Sequence, residues 1–366
     1  MRAQPGRDAG RRATTVLLVG PDVHGRAPGG MATISARLIK AVNESGGFRV
    51  TPLTNFVEGS FFERLGAALK ADVGVATSRA SAGIVHIQVA HGRSIERDLL
   101  TALVARACGI KVVAQYHGAG QRDDYKAGTA LHKWAFRRLV ALSDVNAVLG
   151  TRMQQWLKGL DANARVLIVR NWEDTGTATD FPGGRPCFLF LGRIGERKGA
   201  FDLIEAALIA IGRGLRADFV LAGDGDVERA SRLVASSPEV EGAITVLGWQ
   251  DQEAVKGLLD RSWALVLPSY AEGLPMSVLQ AMAHGRAVVT TDVGDTPDAV
   301  LDGVTGRLVT PGDPEALATV LMELASERDT LAAMGRAGRD RFEQEFSSER
   351  AVSELVTIYR SLHAGG

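Results

Sequence analysis

Cysteine is nearly absent: Cys108 and Cys187 are the only two in 366 residues. Two cysteines cannot make a disulfide framework, and nothing around them suggests a zinc site. Cys187 opens an apolar, strand-like run, and Cys108 stands beside Gly109 at a helix end. Both read as small buried apolar residues in a reducing compartment. Long hydrophobic runs are missing too. No stretch reaches the roughly 18 apolar residues expected of a spanning helix. The start of the chain carries Arg2, Arg7, Arg11 and Arg12 with no apolar stretch behind them. That is not a secretory signal, and residues 1–13 read as a disordered tail. Charge of one sign is not in excess either. Lys+Arg and Asp+Glu number 42 each, so no global field points to nucleic acid. Internal repeats and low-complexity blocks are also lacking. These absences leave a cytoplasmic globular protein.

What is present is ordinary globular composition, with 46% hydrophobic and 23% charged residues. The length suits two domains of roughly 150–180 residues, each able to bury a core. Along the chain, short Val/Ile-rich runs alternate with amphipathic helical stretches. Strands are predicted at Thr15–Gly20, Phe48–Leu53, Ile84–Val89, Lys111–His117, Val145–Gly150 and Arg165–Val169. Helices are predicted at Met31–Asn43, Ile95–Ala107 and Thr129–Leu142. The stretch 171–186, with Gly176, Pro182, Gly183, Gly184 and Pro186, reads as a linker between residues 14–170 and 187–345. The alternation then restarts at Cys187–Gly192, Asp218–Ala222, Ala243–Leu247, Trp263–Pro268, Arg286–Thr291 and Gly306–Val309. Arg328–His363 reads as helical. The pattern predicts an α/β protein of two doubly wound domains. Their ligands would sit outside the carboxyl ends of the strands, in a cleft.

Five constellations stand where such strands end. Leu191-Gly192-Arg193-Ile194-Gly195-Glu196-Arg197-Lys198-Gly199 links a strand to a helix. Its glycines allow close backbone approach, the helix start favours anions, and Arg193 and Lys198 add two cations. A diphosphate would suit that mouth, and a plain turn with solvated charges reads equally well. Pro268-Ser269-Tyr270-Ala271-Glu272-Gly273-Leu274-Pro275-Met276 leads into a second helix. Pro275 suits a first helical turn, and Glu272 could accept from hydroxyls or simply be solvated. Gly223, Asp224, Gly225 and Asp226 form what reads as a plain βα turn. His117, at a strand's carboxyl end, could face a cleft or be structural. Gly25–Gly30 precedes a helix but falls short of a dinucleotide fingerprint.

Taken together, LGRIGERKG at 191–199, LAGDGD at 221–226, VLGW at 246–249 and LPSYAEGLPMSVLQAMAHGRAVVTTDVGDTPD at 267–298 resemble glycosyltransferase family 4, among the glycosyl transferases of group 1. PGGMA at 28–32 and YHG at 116–118 match more loosely. The resemblance covers almost the whole chain and is loosest at 60–77 and in the linker. It implies the GT-B fold, two Rossmann-like domains whose sheets face a central cleft. It also implies a last helix, within 346–366, that returns to the first domain.

The resemblance implies that Arg193 and Lys198 grip the donor diphosphate of a UDP- or GDP-sugar. It places Glu272 at the donor sugar, joined by backbone amides of Gly273, Leu274, Pro275's successor Met276 and the loop about Pro275. Gly29 and Gly30 would lie close to the donor phosphates or the acceptor, His117 by the transferred sugar, and Trp249 by the nucleobase. Gly192 and Gly223 complete the donor side. One position departs: the family usually has a second glutamate eight residues on, and here it is Gln280. Glutamine accepts through its carbonyl but brings no charge, which implies altered ribose binding. Asn171-Trp172 departs from the family's Asn-Gly as well.

The implied activity is a retaining, metal-independent hexosyl transfer to a glycan or polyprenyl-linked acceptor, in bacterial surface polysaccharide synthesis. No cofactor is expected. Asp123-Asp124, the nearest acidic cluster, is expected in a polar loop and reads as surface. The alternatives are a non-catalytic nucleotide-sugar-binding relative, encouraged by Gln280, and a GT-B epimerase or phosphorylase. The basic segment 132–139, with Trp134 and Phe136, could lie on an anionic membrane or pack as an ordinary helix.

Overall fold

The computed structural model describes residues 13–23, 30–90, 92, 94–118, 120–174, 179–240 and 242–364. Of the expected tail all but its last residue lies outside these, as do Gly29 and residues 175–178. The chain divides into two compact units. The N-unit comprises Met1–Val148, Gln154–Val169 and Ala351–Gly366; the C-unit comprises Leu149–Met153 and Arg170–Arg350.

The N-unit alternates β1 (Thr14–Pro21), α1 (Gly30–Ser45), β2 (Phe48–Phe56), α2 (Phe61–Thr77), β3 (Ala82–Val89), α3 (Ser94–Ala107), β4 (Lys111–Tyr116), α4 (Gln121–Ala127), α5 (Ala130–Leu142), β5 (Val145–Val148), α6 (Thr151–Leu160) and β6 (Val166–Ile168). All its strand pairs are parallel, in the order β2-β1-β3-β4-β5-β6. Right-handed crossovers then put α1 on one face and α2, α3 and α5 on the other. Burial matches: Val16, Val85, Ile87, Val112 and Val113 are fully inaccessible, as central parallel strands require.

Three helices were not foreseen. α2 is alanine- and glycine-rich with an apolar outer side, so it lacks the usual amphipathic signal. Its start is marked by a capping box, Ser60 and Glu63 bonding each other's backbone. α4 contains Asp123 and Asp124, so that cluster is helical and not a loop. Asp124 Oδ2 accepts from the Gly92 amide at 2.9 Å. α6 fills the gap after β5. In the 132–139 segment, Trp134 is exposed but Phe136 is core, 1% accessible and packed at a tilt against Tyr116 and Trp156. Phe136 therefore cannot meet a membrane.

The C-unit runs β7 (Cys187–Leu191), α7 (Ala200–Gly212), β8 (Asp218–Ala222), α8 (Val227–Ala235), β9 (Ile244–Leu247), α9 (Gln252–Arg261), β10 (Ala264–Leu267), α10 (Met276–Ala283), β11 (Ala287–Thr291), β12 (Gly306–Val309), α11 (Pro314–Ser326) and α12 (Arg328–Glu345). α13 (Ser348–His363) follows; its residues from Ala351 belong to the N-unit. The sheet order is β12-β11-β10-β7-β8-β9, all parallel. The chain winds outward from β7 to β9, returns to β10 beside β7, and winds out the other way. The switch point lies between β7 and β10, where such sheets leave a crevice. Phe188, Phe190, Phe219, Leu265 and Val266 form the core beneath it.

Two details differ from expectation. The stretch from 171 is not loose at its start: Asn171, Trp172 and Glu173 are buried in the C-unit. Cys108 and Cys187 are only half-buried. Burial, reinforced by Asp218, still pushes the Cys187 thiol up to about 11, so it is an inert thiol.

Candidate active site

The switch point of the C-unit brings the two long motifs side by side. β7 ends into 192–199 and β10 ends into 268–275, and β7 and β10 are hydrogen-bonded neighbours. Gly199 makes their contact possible. It adopts φ 69°, and a methyl there would overlap the carbonyl of Pro268. The Tyr270 amide donates to the Arg197 carbonyl at 2.9 Å, and Arg197 Nη1 donates to the Ala271 carbonyl at 3.0 Å.

At the junction Lys198 Nζ meets Glu272 Oε1 at 2.6 Å, both side chains largely shielded from water. Ser269 Oγ donates to the same oxygen at 2.7 Å. Ser269 is fully buried, and its own carbonyl accepts from Thr291 Oγ1 at 2.5 Å. The carboxylate thus has one oxygen fixed by an ammonium and a hydroxyl. Hydrogen bonds to an ionised group in a shielded place are the strong ones. A shielded Lys–Glu pair is costly to break and holds its geometry.

Arg193 is placed differently. Its side chain is 70% exposed, 3.7 Å from Asp224, a weak and solvent-screened pair. The turn that carries Asp224 is hydrogen-bonded to the first motif loop. The Ile194 amide donates to the Asp224 carbonyl at 2.6 Å, the Asp226 amide to the Ile194 carbonyl at 2.9 Å, and the Gly223 amide to the Gly248 carbonyl at 3.1 Å. Gly192 starts the first motif loop, its amide bonded to the Ala222 carbonyl. Trp249, next after Gly248, is 68% exposed. An indole face left in water beside a backbone-lined wall can stack on a flat ring.

α10 starts at Met276, with Pro275 before it as N-cap and no side-chain cap. Pro275 is therefore one position outside the helix, not in its first turn. α7 likewise begins after Gly199 without a side-chain cap. Uncapped first turns keep their amides available to an anion. Leu274 is buried, and its carbonyl accepts from Asn171 Nδ2 at 2.9 Å. Gly273 is tied from the other side, its carbonyl accepting from the Asp295 amide at 3.0 Å. Gln280 lies on α10, partly exposed, one turn beyond Met276.

In the N-unit, His117 directly follows β4, half-buried, its amide bonded to the Val89 carbonyl. Gly30 opens α1, beside the switch point between β1 and β3. Below them runs a buried polar chain. Tyr359 Oη lies 2.6 Å from His86 Nδ1, and Gln88 Nε2 lies 3.2 Å from His86 Nε2 and donates to Gln115 Oε1 at 3.3 Å. Burial first, then the charge of His117, pulls His86 down to about 3, so it is neutral near pH 7.

Residues 174–341, which carry all of these C-unit loops, match the family described as glycosyl transferases group 1. The match places residues 174–341, less than half of the chain, in that family. The amylovoran biosynthesis glycosyltransferase AmsK of Erwinia amylovora is 29% identical over 180 residues, 48% of this chain and 44% of that protein. The chain thus aligns with less than half of that relative's length. Alpha-maltose-1-phosphate synthase of Mycobacterium tuberculosis is 29% identical over 343 residues, 82% of this chain and 86% of that protein. Among solved structures, Anabaena HepE, in complex with UDP and glucose, superposes with a TM-score of 0.73 at 15% identity over 95% of this chain and 100% of that one. The fold of the chain is GT-B.

Several supports of the candidate site went unnoticed in the sequence. Ser269 lies in the quoted motif, three residues before the glutamate it orients, a spacing that could have flagged it. Gly294 is less legible. It adopts φ 56°, and a methyl there would overlap the Glu272 carbonyl, so it lets the 292–295 turn close on the glutamate loop. Asn171 was set aside with the linker although its side chain holds Leu274.

Proposed function

We propose that this glycosyltransferase moves a hexosyl group from a UDP- or GDP-sugar to a glycan or polyprenyl-linked acceptor with retention and without a metal ion. The observation that carries the reading is the shielded Lys198–Glu272 pair, set between two uncapped helix starts with Arg193 exposed beside it. HepE's complex with UDP and glucose supports a nucleotide-sugar donor, and AmsK's part in amylovoran biosynthesis supports a polysaccharide pathway. A cytoplasmic setting suits such a donor.

On this reading Arg193 swings from Asp224 onto the donor diphosphate. Lys198, held by Glu272, lies close enough to share its charge with the leaving oxygen. The helix starts at Ala200 and Met276 add amide dipoles where negative charge grows. Glu272 keeps Oε1 on Lys198 and Ser269 and offers Oε2 to a sugar hydroxyl. Trp249 stacks on the base. The bond from the anomeric carbon to the phosphate oxygen breaks as the acceptor oxygen arrives from the same face. The departing phosphate takes the acceptor's proton. His117 supports the sugar, and closure of the site limits hydrolysis.

A panel of UDP- and GDP-sugars tested by thermal shift, with EDTA present, checks the reading. One donor should raise the melting temperature of the native protein and fail to do so with Arg193→Ala. Transfer or slow hydrolysis of that donor should then follow in an activity assay. A second reading rests on Gln280. If the donor binds but is neither transferred nor hydrolysed, the chain is a non-catalytic nucleotide-sugar-binding relative.

A further inference from the structure

The α2–α3–α5 layer of the N-unit exposes more apolar side chain than a soluble surface requires. Phe61 is 71% and Phe62 81% accessible at the start of α2, and Leu65, Leu69 and Val73 continue along the same helix. α3 packs against both α2 and α5 and adds exposed Leu100 and Leu103. α5 adds Leu131 at 65% and Trp134 at 56%. Scattered exposed leucines are ordinary, but a run across three neighbouring helices on one face of a sheet is not.

Charge on the outer sides of α2 and α5 is one-sided, in a chain whose charges balance; on α3, Glu96 is taken up by His132 of α5 at 2.9 Å. α5 carries Lys133, Arg137 and Arg138 and no carboxylate. On the outer side of α2, Arg64 and Lys70 stand against Glu63, whose carboxylate is held by the Ser60 amide and hydroxyl in the capping box. Trp and Phe between cations on an outward helical face suit the boundary of an anionic bilayer. There rings reach the acyl region and ammonium or guanidinium groups meet headgroups. The residues on α2 argue against a coiled-coil pairing with a second copy of the chain. Residues 61, 65, 69 and 73 recur strictly every four, so the stripe turns by about 40° per step. A coiled-coil seam needs alternating three- and four-residue steps.

We infer that the α2–α3–α5 face docks peripherally on an anionic lipid surface, with Phe61, Phe62, Leu131 and Trp134 inserting and the α5 cations contacting headgroups. No helix among the described residues is long and apolar enough to cross a membrane, so the contact is interfacial. The inference is independent of the donor chemistry and needs no activity to be tested.

The test is co-sedimentation of the full chain with phosphatidylcholine vesicles, with and without phosphatidylglycerol. The protein should sediment with the anionic vesicles only and be released by salt. Trp134 emission should shift to the blue, a change absent in Trp134→Phe. Phe61→Ser/Phe62→Ser should cut sedimentation at least about tenfold, since both rings are lost from the insertion, with an unchanged melting temperature. Lys133→Glu/Arg138→Glu should lose anionic preference by a separate route. No sedimentation of the native chain, or equal sedimentation of the variants, overturns the inference. So does a native dimer in size-exclusion chromatography that Phe61→Ser/Phe62→Ser converts to monomer, which would assign the face to a second copy.

Discussion

At the residue scale, the chain's buried ionisable groups are tuned by what encloses them. His86 is held neutral among Tyr359, Gln88 and His117, its value lowered from 6.5 to about 3. Asp98 is the opposite case. Burial raises it from 3.8 to about 6, against the pull of Arg97, Asn55 and Ser94. Their effects on stability have opposite signs. Between about 6.5 and about 3 the unfolded chain protonates His86 and the fold does not, so stability falls with pH through that window. Asp98 keeps in the fold a proton that the unfolded chain has lost, so it adds stability at acid pH that disappears as pH rises through about 6. Asp98→Asn should therefore lose stability more steeply on acidification below about 6, by on the order of 1.4 kcal/mol per pH unit. His86→Gln should flatten the acid side. Urea midpoints followed across the window check both; parallel profiles in all three proteins would refute the assignment. None of this was readable beforehand. A lone histidine in a Val/Ile strand shows no sign of its partner 273 positions away.

At the element scale, the site depends on loops that touch because glycines let them. Strand positions and both motif loops were legible, since Val/Ile runs and Gly-rich turns are local signals. The closure of the 292–295 turn on the glutamate loop was not, because nothing in VGDTPD says which carbonyl Gly294 meets. Gly294→Ala would force a left-handed backbone and a carbonyl overlap together. It should cost on the order of 2–3 kcal/mol and lower transfer activity beyond that loss, because Glu272 would shift. The comparison of melting temperature with kcat at a permissive temperature checks this. A stable variant with native kcat would show that the loop tolerates the change. α2 illustrates the reverse failure. No helix is predicted over its residues because its apolar stripe faces outward, and periodicity reports a face without saying what covers it.

At the scale of the whole molecule, the chain's order and its compact units do not coincide. Residues 149–153 join the C-unit: Thr151 Oγ1 donates to Asp298 Oδ1 at 2.7 Å, and the Arg152 amide to Asp295 Oδ1 at 3.0 Å. Residues 351–366 join the N-unit, where Tyr359 packs on Phe48 and bonds His86. Deleting 351–366 should uncover the N-unit core around Leu355 and Leu362 and leave His86 without its phenol. Hydrogen exchange should then speed up in β3 and α1 while β7 and β10 keep their protection. Equal loss in both units would mean that the end of the chain supports the C-unit too.

The amino-acid sequence alone determined the α/β class, the count of strands, the places where they end and the motif residues found there. Each of these follows from short-range chemistry: apolar alternation, glycine at tight turns, charge beside a helix start. Tertiary structure decided that β7 and β10 are neighbours, so that Lys198 donates to Oε1 of Glu272, 74 positions away. It decided that Phe136 is core while Phe61 and Phe62 face outward. Those outcomes depend on which strands pair and which faces are covered, and pairing between distant segments is set by the packing of the whole domain.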